Sequence, residues 1–174
     1  MGTTRRSFLK VGVLAVATLA AGGAIYRYTQ GQGAPQRFAL TGEAKAVIDA
    51  IVPAMLGGVL PTDAAARKAA IDTTTQGVHQ AILGLPLGTQ KEVADLFGLL
   101  ALGPARRFLA GIPDGWGQAS DAQVAQFLQD WRYHRFATLQ TGYHALHDLI
   151  IGAWYANPSS WPGIGYPGPV KELL

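Results

Sequence analysis

The sequence predicts an all-α protein, a single small helical domain of four to six helices around one core. Two observations carry that expectation. Apolar residues recur at three- and four-residue steps, most clearly at Val124, Phe127, Leu128, Trp131, Leu139, Tyr143, Leu146, Ile150 and Trp154, which marks one face of a helix. No stretch alternates at period two with β-branched residues, so no strand is expected.

The helices follow in order. Thr41 is placed to cap a helix carrying Val47, Ile48, Ile51 and Val52, with Pro53 and Gly57-Gly58 limiting its extent. Pro61-Thr62-Asp63 opens a second, through Ala70, Ile71, Val78 and Leu83. Its Thr73-Thr74-Thr75 run is a weak spot, because β-branched residues are poor helix formers. Thr89 with Glu92 reads as a capping box for a third helix through Val93, Leu96, Phe97, Leu99 and Leu100. Gly103-Pro104 breaks it, and Pro104 can begin a short successor ending at Gly111. Residues 111–119 form a loop. Ser120 with Gln123 is a second capping box, opening one long helix over about 121–156, bent at Thr141-Gly142 and stopped by Asn157-Pro158. The helical domain therefore spans 38–156. The tail, 157–174, has four prolines and three glycines within residues 157–169, a composition that predicts an extended chain. Trp161, Ile164 and Tyr166 are its large apolar groups. They pack back on the helices or dock on another protein, where Trp and Tyr are favoured anchors.

The N-terminus has a different character. Residues 1–10 carry Arg5, Arg6 and Lys10 and no acid, and residues 11–26 carry no charge. A basic head before an apolar run is the pattern of an export signal rather than of a folded element. The head reads Thr-Arg-Arg-Ser-Phe-Leu-Lys over residues 4–10. It resembles the twin-arginine translocation (Tat) consensus at every defined position, with Arg5, Arg6, Phe8, Leu9 and Lys10 as the recognition residues. The apolar run is sixteen residues long, about 24 Å as a helix, against a hydrocarbon core of about 30 Å. Residues 1–28 are thus read as a Tat signal peptide or an N-terminal anchor, followed by a polar, Gly-rich linker at 29–37. Gly22-Gly23-Ala24 offers a small-x-small cleavage pattern, whereas Tyr26 and Tyr28 beside Arg27 suit a retained segment at a membrane interface. The expected location is the periplasm, at the inner membrane if the segment is retained.

Removing the signal leaves about 145 residues, enough for one domain with its own core. The pI of 9.3 overstates the basicity of that domain. Four of the fourteen Lys and Arg lie in the signal region, leaving ten bases against eleven acids. Such a balance does not point to nucleic acid. Charged residues are 14% of the chain, below the usual quarter, which fits either a small Ala- and Gly-rich domain or a surface covered by a partner. With no cysteine, iron–sulfur ligation, Cys-x-x-Cys-His haem attachment and Cys-based zinc sites are excluded.

Motifs for chemistry are sparse. Gly163-Ile164-Gly165-Tyr166-Pro167-Gly168 matches Gly-x-Gly-x-x-Gly. It lacks the strand before and the helix after that a dinucleotide site requires. No Gly-x-Ser-x-Gly or His-Glu-x-x-His occurs. Ser159 and Ser160 have no evident histidine partner, and Asp72, Asp95, Asp130 and Asp148 are isolated acids. His144 and His147 are three apart on one helix face beside Asp148, with His134 on the same helix. Paired histidines at helical spacing can bind zinc or copper, but a further ligand, His79 or Asp130, would have to arrive from elsewhere. The plainer reading packs them against Trp131, Tyr143 and Trp154. In the basic, aromatic run Trp131-Arg132-Tyr133-His134-Arg135-Phe136, the two arginines are expected to pair with acids of this chain or a partner. No catalytic, cofactor-binding or metal residue is assigned.

A route that carries folded, commonly cofactor-loaded proteins is thus joined to a chain with no cofactor motif. The mismatch resolves if the signal serves a second chain. The layout resembles the small subunits of membrane-bound, flavin-dependent gluconate, sorbitol and glucose dehydrogenases. The likeness rests on residues 4–10, on Leu40-Thr41-Gly42-Glu43 running into Ile51-Val52-Pro53, and on Ala153-Trp154-Tyr155 with the tail from Trp161 through Pro169. It implies a non-catalytic subunit that helps a large FAD-dependent glucose-methanol-choline (GMC)-type flavoprotein mature and leave the cell interior. A c-type cytochrome accepts the electrons in such systems, a role closed to a chain without cysteine. The partners expected are the Tat translocase, that flavoprotein and the cytochrome, with the contact through Trp154, Tyr155, Trp161, Ile164, Tyr166, Pro167 and Pro169. Two alternatives stand beside this. One is a stand-alone periplasmic enzyme or metal-binding protein using His134, His144 and His147; the other is a membrane-tethered structural protein anchored by residues 11–26.

Overall fold

In the computed structural model, residues 36–40 and 42–168 are described. They hold six α-helices and three short 3-10 turns and no strand, as the sequence predicts. The helices are α1 (Gly42–Leu56), α2 (Ala64–Leu83), α3 (Leu87–Ala101), α4 (Gly103–Leu109), α5 (Asp121–Arg132) and α6 (Ala137–Ala156). The Tat motif, the apolar segment, most of the linker and the expected cap at Thr41 lie outside the described residues.

Helix α1 occupies the middle. Val47, Ile48, Ile51 and Val52 are fully buried, and the helix packs against α5, α3, α2, α6 and the 3-10 turn Trp116–Gln118. Pro53 lies inside α1 and does not end it. A proline at this position forfeits one intrahelical bond near the helix end, while burial of Leu56 and Leu60 holds the last turn in place. The termination belongs to Gly57-Gly58, where the Val59 and Leu60 N–H groups both donate to the Leu56 carbonyl. Along the opposite side of the bundle, α2 runs against α6. Gly77 allows that approach: a Cβ there would sit 3.1 Å from the Ala153 Cβ.

Several helix ends fall where expected. Asp63 caps α2 by accepting the Ala66 N–H at 2.8 Å. Ser120 and Gln123 form the reciprocal box at α5, with both bonds made. The threonine run does not interrupt α2, and two of its three hydroxyls are satisfied. Thr74 Oγ1 donates to the Ala70 carbonyl and Thr75 Oγ1 to Asp49 Oδ1 on α1. The Thr89–Glu92 box does not form. Helix α3 starts three residues earlier, with Pro86 in the cap position and no side-chain cap. The buried Gln90 secures this corner instead. Its Oε1 accepts the Phe38 N–H, and its Nε2 donates to the Leu83 and Leu85 carbonyls. Helix α4 stops at Leu109 rather than Gly111.

The expected long helix is two helices, and the break lies at 133–136 rather than at Thr141-Gly142. The bulky run Tyr133-His134-Arg135-Phe136 closes α5 and restarts the chain. The Phe136 N–H donates to His134 Nδ1 and the Gln140 amide donates to the His134 carbonyl, so the turn satisfies its own polar groups. Gly142 is a packing residue and not a bend. A Cβ at that position would lie 2.7 Å from Trp131 Cζ3 and 3.1 Å from Cε3. The α5–α6 contact is therefore built around an indole resting on a glycine.

The last segment coils more tightly than an extended tail. Two 3-10 turns, Pro158–Ser160 and Pro162–Ile164, each begin at a proline, whose fixed φ suits a helical first position.

Two glycines of α6 give a paired test. Gly142→Ala forces Trp131 to move and is expected to lower stability by about 1–2 kcal/mol, overpacking outweighing the helix preference of alanine. Gly152→Ala meets no atom within 4 Å and is expected to raise stability by up to about 1 kcal/mol. Urea denaturation of the two variants beside the parent checks both signs.

Candidate functional site

The C-terminal turn is built on the end of α6. Helix termini leave their last carbonyls without intrahelical partners, and here the tail supplies donors. The Ser160 hydroxyl lies within hydrogen-bonding distance of the Trp154 carbonyl, at 2.9 Å, and of the Asn157 carbonyl, at 2.8 Å. The Trp161 indole N–H donates to the Tyr155 carbonyl at 2.8 Å. The chain then reverses through Gly165, whose φ of 70° lies in the left-handed region, and the Tyr166 N–H returns to the Trp161 carbonyl. Tyr166 meets the Trp161 ring edge-on, with centroids 5.2 Å apart. The result is a small knob in which Trp161 is half-buried while Tyr155, Ile164, Tyr166 and Pro167 are exposed.

The structure thus brings most of the expected contact residues together on one end of α6. Trp154 departs from the expectation. Only 6% exposed, it belongs to the core, and its indole N–H has no hydrogen-bond partner. Its place in the helical period turns it inward, away from the face that carries Tyr155. Pro169 lies outside the described residues.

The histidines do not form a common site. Among the described residues, no three His, Asp or Glu side chains converge as a metal would require. His134 sits in the turn between α5 and α6, not on one helix with the other two. Its Nδ1 accepts the Phe136 N–H, so that lone pair is engaged. His144 and His147 flank the Tyr143 ring, with centroids 5.3 and 5.8 Å away. His147 Nδ1 lies 2.9 Å from Asp148 Oδ1. His79 stacks at a tilt on Phe38. Each ring has a local packing or hydrogen-bonding role.

A second surface was not evident from sequence. Phe108, Leu109, Gln126, Gln129, Asp130, Trp131, Tyr133, His134, Arg135 and Leu139 line an open groove of about 750 Å³. It lies where α4, α5 and the start of α6 meet. Of the pairing expected for Arg132 and Arg135, with acids of this chain or a partner, none is made with an acid among the described residues. Arg132 lies over the rings of Tyr133 and Tyr143, at 5.2 and 5.8 Å, and Arg135 over Phe136 at 4.7 Å. The one sequence signal for this groove is the dense aromatic and basic run 131–136, and its partner element, α4, carries no periodic pattern long enough to show a face.

Charge elsewhere is largely paired along helices. Lys45–Asp49, Lys68–Asp72 and Lys91–Asp95 are i,i+4 pairs, and Arg67 reaches Asp121. The Lys68 hydrogen bond holds the Asp72 carboxyl below its ordinary range, and Asp72 raises Lys68 in turn. Both groups are exposed, so such pairs contribute little.

The Trp161 indole is the element that holds the knob together. Trp161→Ala is expected to expose residues 157–168 to limited proteolysis while the thermal midpoint of the helical body moves little. The segment has no Lys or Arg for trypsin, and its Trp161 and Tyr166 each precede a proline that blocks chymotrypsin, so thermolysin, which can cut before Ile164, with mass mapping is the appropriate readout. No family model, curated protein or solved structure matches the chain.

Proposed function

We propose that this chain is a non-catalytic accessory subunit. It accompanies a cofactor-loaded flavoprotein dehydrogenase of the GMC type through the Tat pathway to the periplasm and assists its assembly there. FAD belongs to the partner, not to this chain. The observation that carries the reading is the head Thr-Arg-Arg-Ser-Phe-Leu-Lys at residues 4–10, joined to a body whose sequence has no cofactor motif. A folded-protein export signal then has work to do for a second chain. The C-terminal knob supports the same reading. Its aromatics are held on a rigid frame by the Trp161 and Ser160 hydrogen bonds, and rigid Tyr and Trp groups make efficient contact anchors.

Affinity purification of the tagged full-length chain from its native host tests this. A large second chain with a flavin absorption spectrum is expected, both chains being periplasmic. Arg5→Lys with Arg6→Lys is expected to leave both in the cytoplasm. A lone, colourless protein that reaches the periplasm unaided would overturn the proposal.

A further inference from the structure

The chain enters the helical body through residues 36–40, and that entry is clasped to one corner. The Phe38 N–H donates to Gln90 Oε1 at 3.0 Å, and the Phe38 ring lies 5.8 Å from Phe97 and 5.9 Å from His79. Gln90 is 2% exposed. Its Nε2 donates to the Leu83 and Leu85 carbonyls, which belong to the connection between α2 and α3. The root of the N-terminal segment and the turn 84–88 are therefore joined through one buried amide.

That turn is suited to an apolar medium. Residues 73–90 contain no Asp, Glu, Lys or Arg. The turn itself reads Gly-Leu-Pro-Leu-Gly, with Pro86 and Leu87 exposed, Leu87 to 45%. Its backbone is largely closed on itself. The Gly84 and Leu85 N–H groups donate to carbonyls of α2, and the Leu83, Leu85 and Pro86 carbonyls accept from Gln90. An apolar medium accepts backbone only where its polar groups have partners. Arg37, exposed beside the clasp, forms no salt bridge with an acid among the described residues, and a cation there suits anionic headgroups. Chain length selects the occupant. The apolar run 11–26 carries the pattern of a membrane-directed signal, and residues 27–37 join it to Phe38. Those eleven residues span at most about 40 Å, against a width of about 35–40 Å for a domain of this size. A bilayer holding the run is within reach of the surface around Phe38. It is out of reach of the far side, because the linker would have to round the body.

We infer that the turn 84–88 rests on the bilayer surface, with Pro86 and Leu87 in the headgroup boundary of anionic phospholipid, while residues 11–26 are in the membrane. Among the described residues no helix is long and apolar enough to cross a membrane, so the contact is interfacial. One exposed leucine is too small to hold a body to a bilayer by itself. Beside a tethered segment its contact is intramolecular, and a weak contact then suffices. The inference rests on the membrane-directed reading of the N-terminal segment, shared with the proposal above, and not on the flavoprotein.

The test uses the full chain, whose lack of cysteine allows a single thiol-linked nitrobenzoxadiazole label. Leu87→Cys places the label on the turn. Asp114→Cys places it on the exposed loop beside Trp116, whose indole is bonded to the Leu100 carbonyl at the other end of α3, roughly 20 Å away along the helix. The vesicles are phosphatidylethanolamine with phosphatidylglycerol, with and without doxyl-labelled lipid. With the chain bound, a blue-shifted emission at 87 is expected, and quenching about twofold or more stronger than at 114. In the unlabelled parent, amide exchange at Leu87 and Gly88 should slow on vesicle binding. Four results overturn the inference: a label at 87 as solvent-exposed as that at 114, equal quenching at both, no binding of the full chain to vesicles, or a blue shift at 87 that persists without vesicles. The escort proposal is read separately. Flavoprotein that co-purifies while the label at 87 stays in water leaves the escort proposal standing without the inference. Quenching at 87 with no co-purifying flavoprotein does the reverse.

Discussion

The fold depends on burying the broad apolar face of one central helix. In α1, Val47, Ile48, Ile51 and Val52 have no exposed surface, and two adjacent pairs one turn apart make a stripe wider than a single partner can cover. Coverage therefore needs α2, α3, α5, α6 and the Trp116–Gln118 turn together. The polar edge of α1 is used as well. Asp49 accepts the Thr75 hydroxyl from α2 and pairs with Lys45 on its own helix. Replacing water around this stripe is the main return on ordering the chain, since each buried aliphatic side chain contributes about 1.5–3 kcal/mol.

A second layer of constraint comes from tryptophans that terminate helices. The Trp116 indole donates to the Leu100 carbonyl, in the last turn of α3, at 2.8 Å. The Trp131 indole donates to the Leu109 carbonyl, the last residue of α4, at 3.0 Å. Trp161 does the same for the Tyr155 carbonyl on α6. Orphan carbonyls at helix ends need donors, and indole supplies one while burying a large apolar surface. Phe127 stands edge-on between Trp116 and Trp131, at 5.6 and 4.8 Å. The segment 111–119 thereby becomes part of the core despite having almost no regular structure. Gly115, with φ of 110°, provides the backbone conformation that turns Trp116 inward.

Much of this was legible in sequence, and the failures have physical causes. Long apolar periods placed the helices. The cap at Ser120 was read correctly, and the start of α2 was placed at Pro61-Thr62-Asp63, where Asp63 supplies the cap. The Thr89 box failed because Gln90, one residue on, makes three long-range or cross-turn bonds that a local pattern cannot show. The break at 133–136 contains neither glycine nor proline, so it carries no local stop signal, whereas Gly142 looked like one while serving as a seat for Trp131. Pro53 also misled, since a breaker near a helix end interrupts only one bond. At the candidate interface, sequence found the aromatic anchors but not their orientation: Trp154 and Tyr155 are neighbours in the chain, yet the first is buried and the second exposed.

The two exposed aromatic surfaces are both by-products of how helices stop. At the end of α6, the carbonyls of Trp154 and Tyr155 recruit Ser160 and Trp161, and the same coil leaves Tyr166 and Ile164 facing outward. At the end of α5, the turn satisfies itself through His134 and Gln140, and the side chains left over are Tyr133, Arg135 and Phe136. In both places the backbone's hydrogen-bonding demand is met locally by a few side chains, so the neighbouring aromatics are not needed to hold the fold. Groups released from a structural role but held on a rigid frame lose little entropy when a partner arrives. That is the physical link between the way this chain ends its helices and the aromatic groups it leaves exposed.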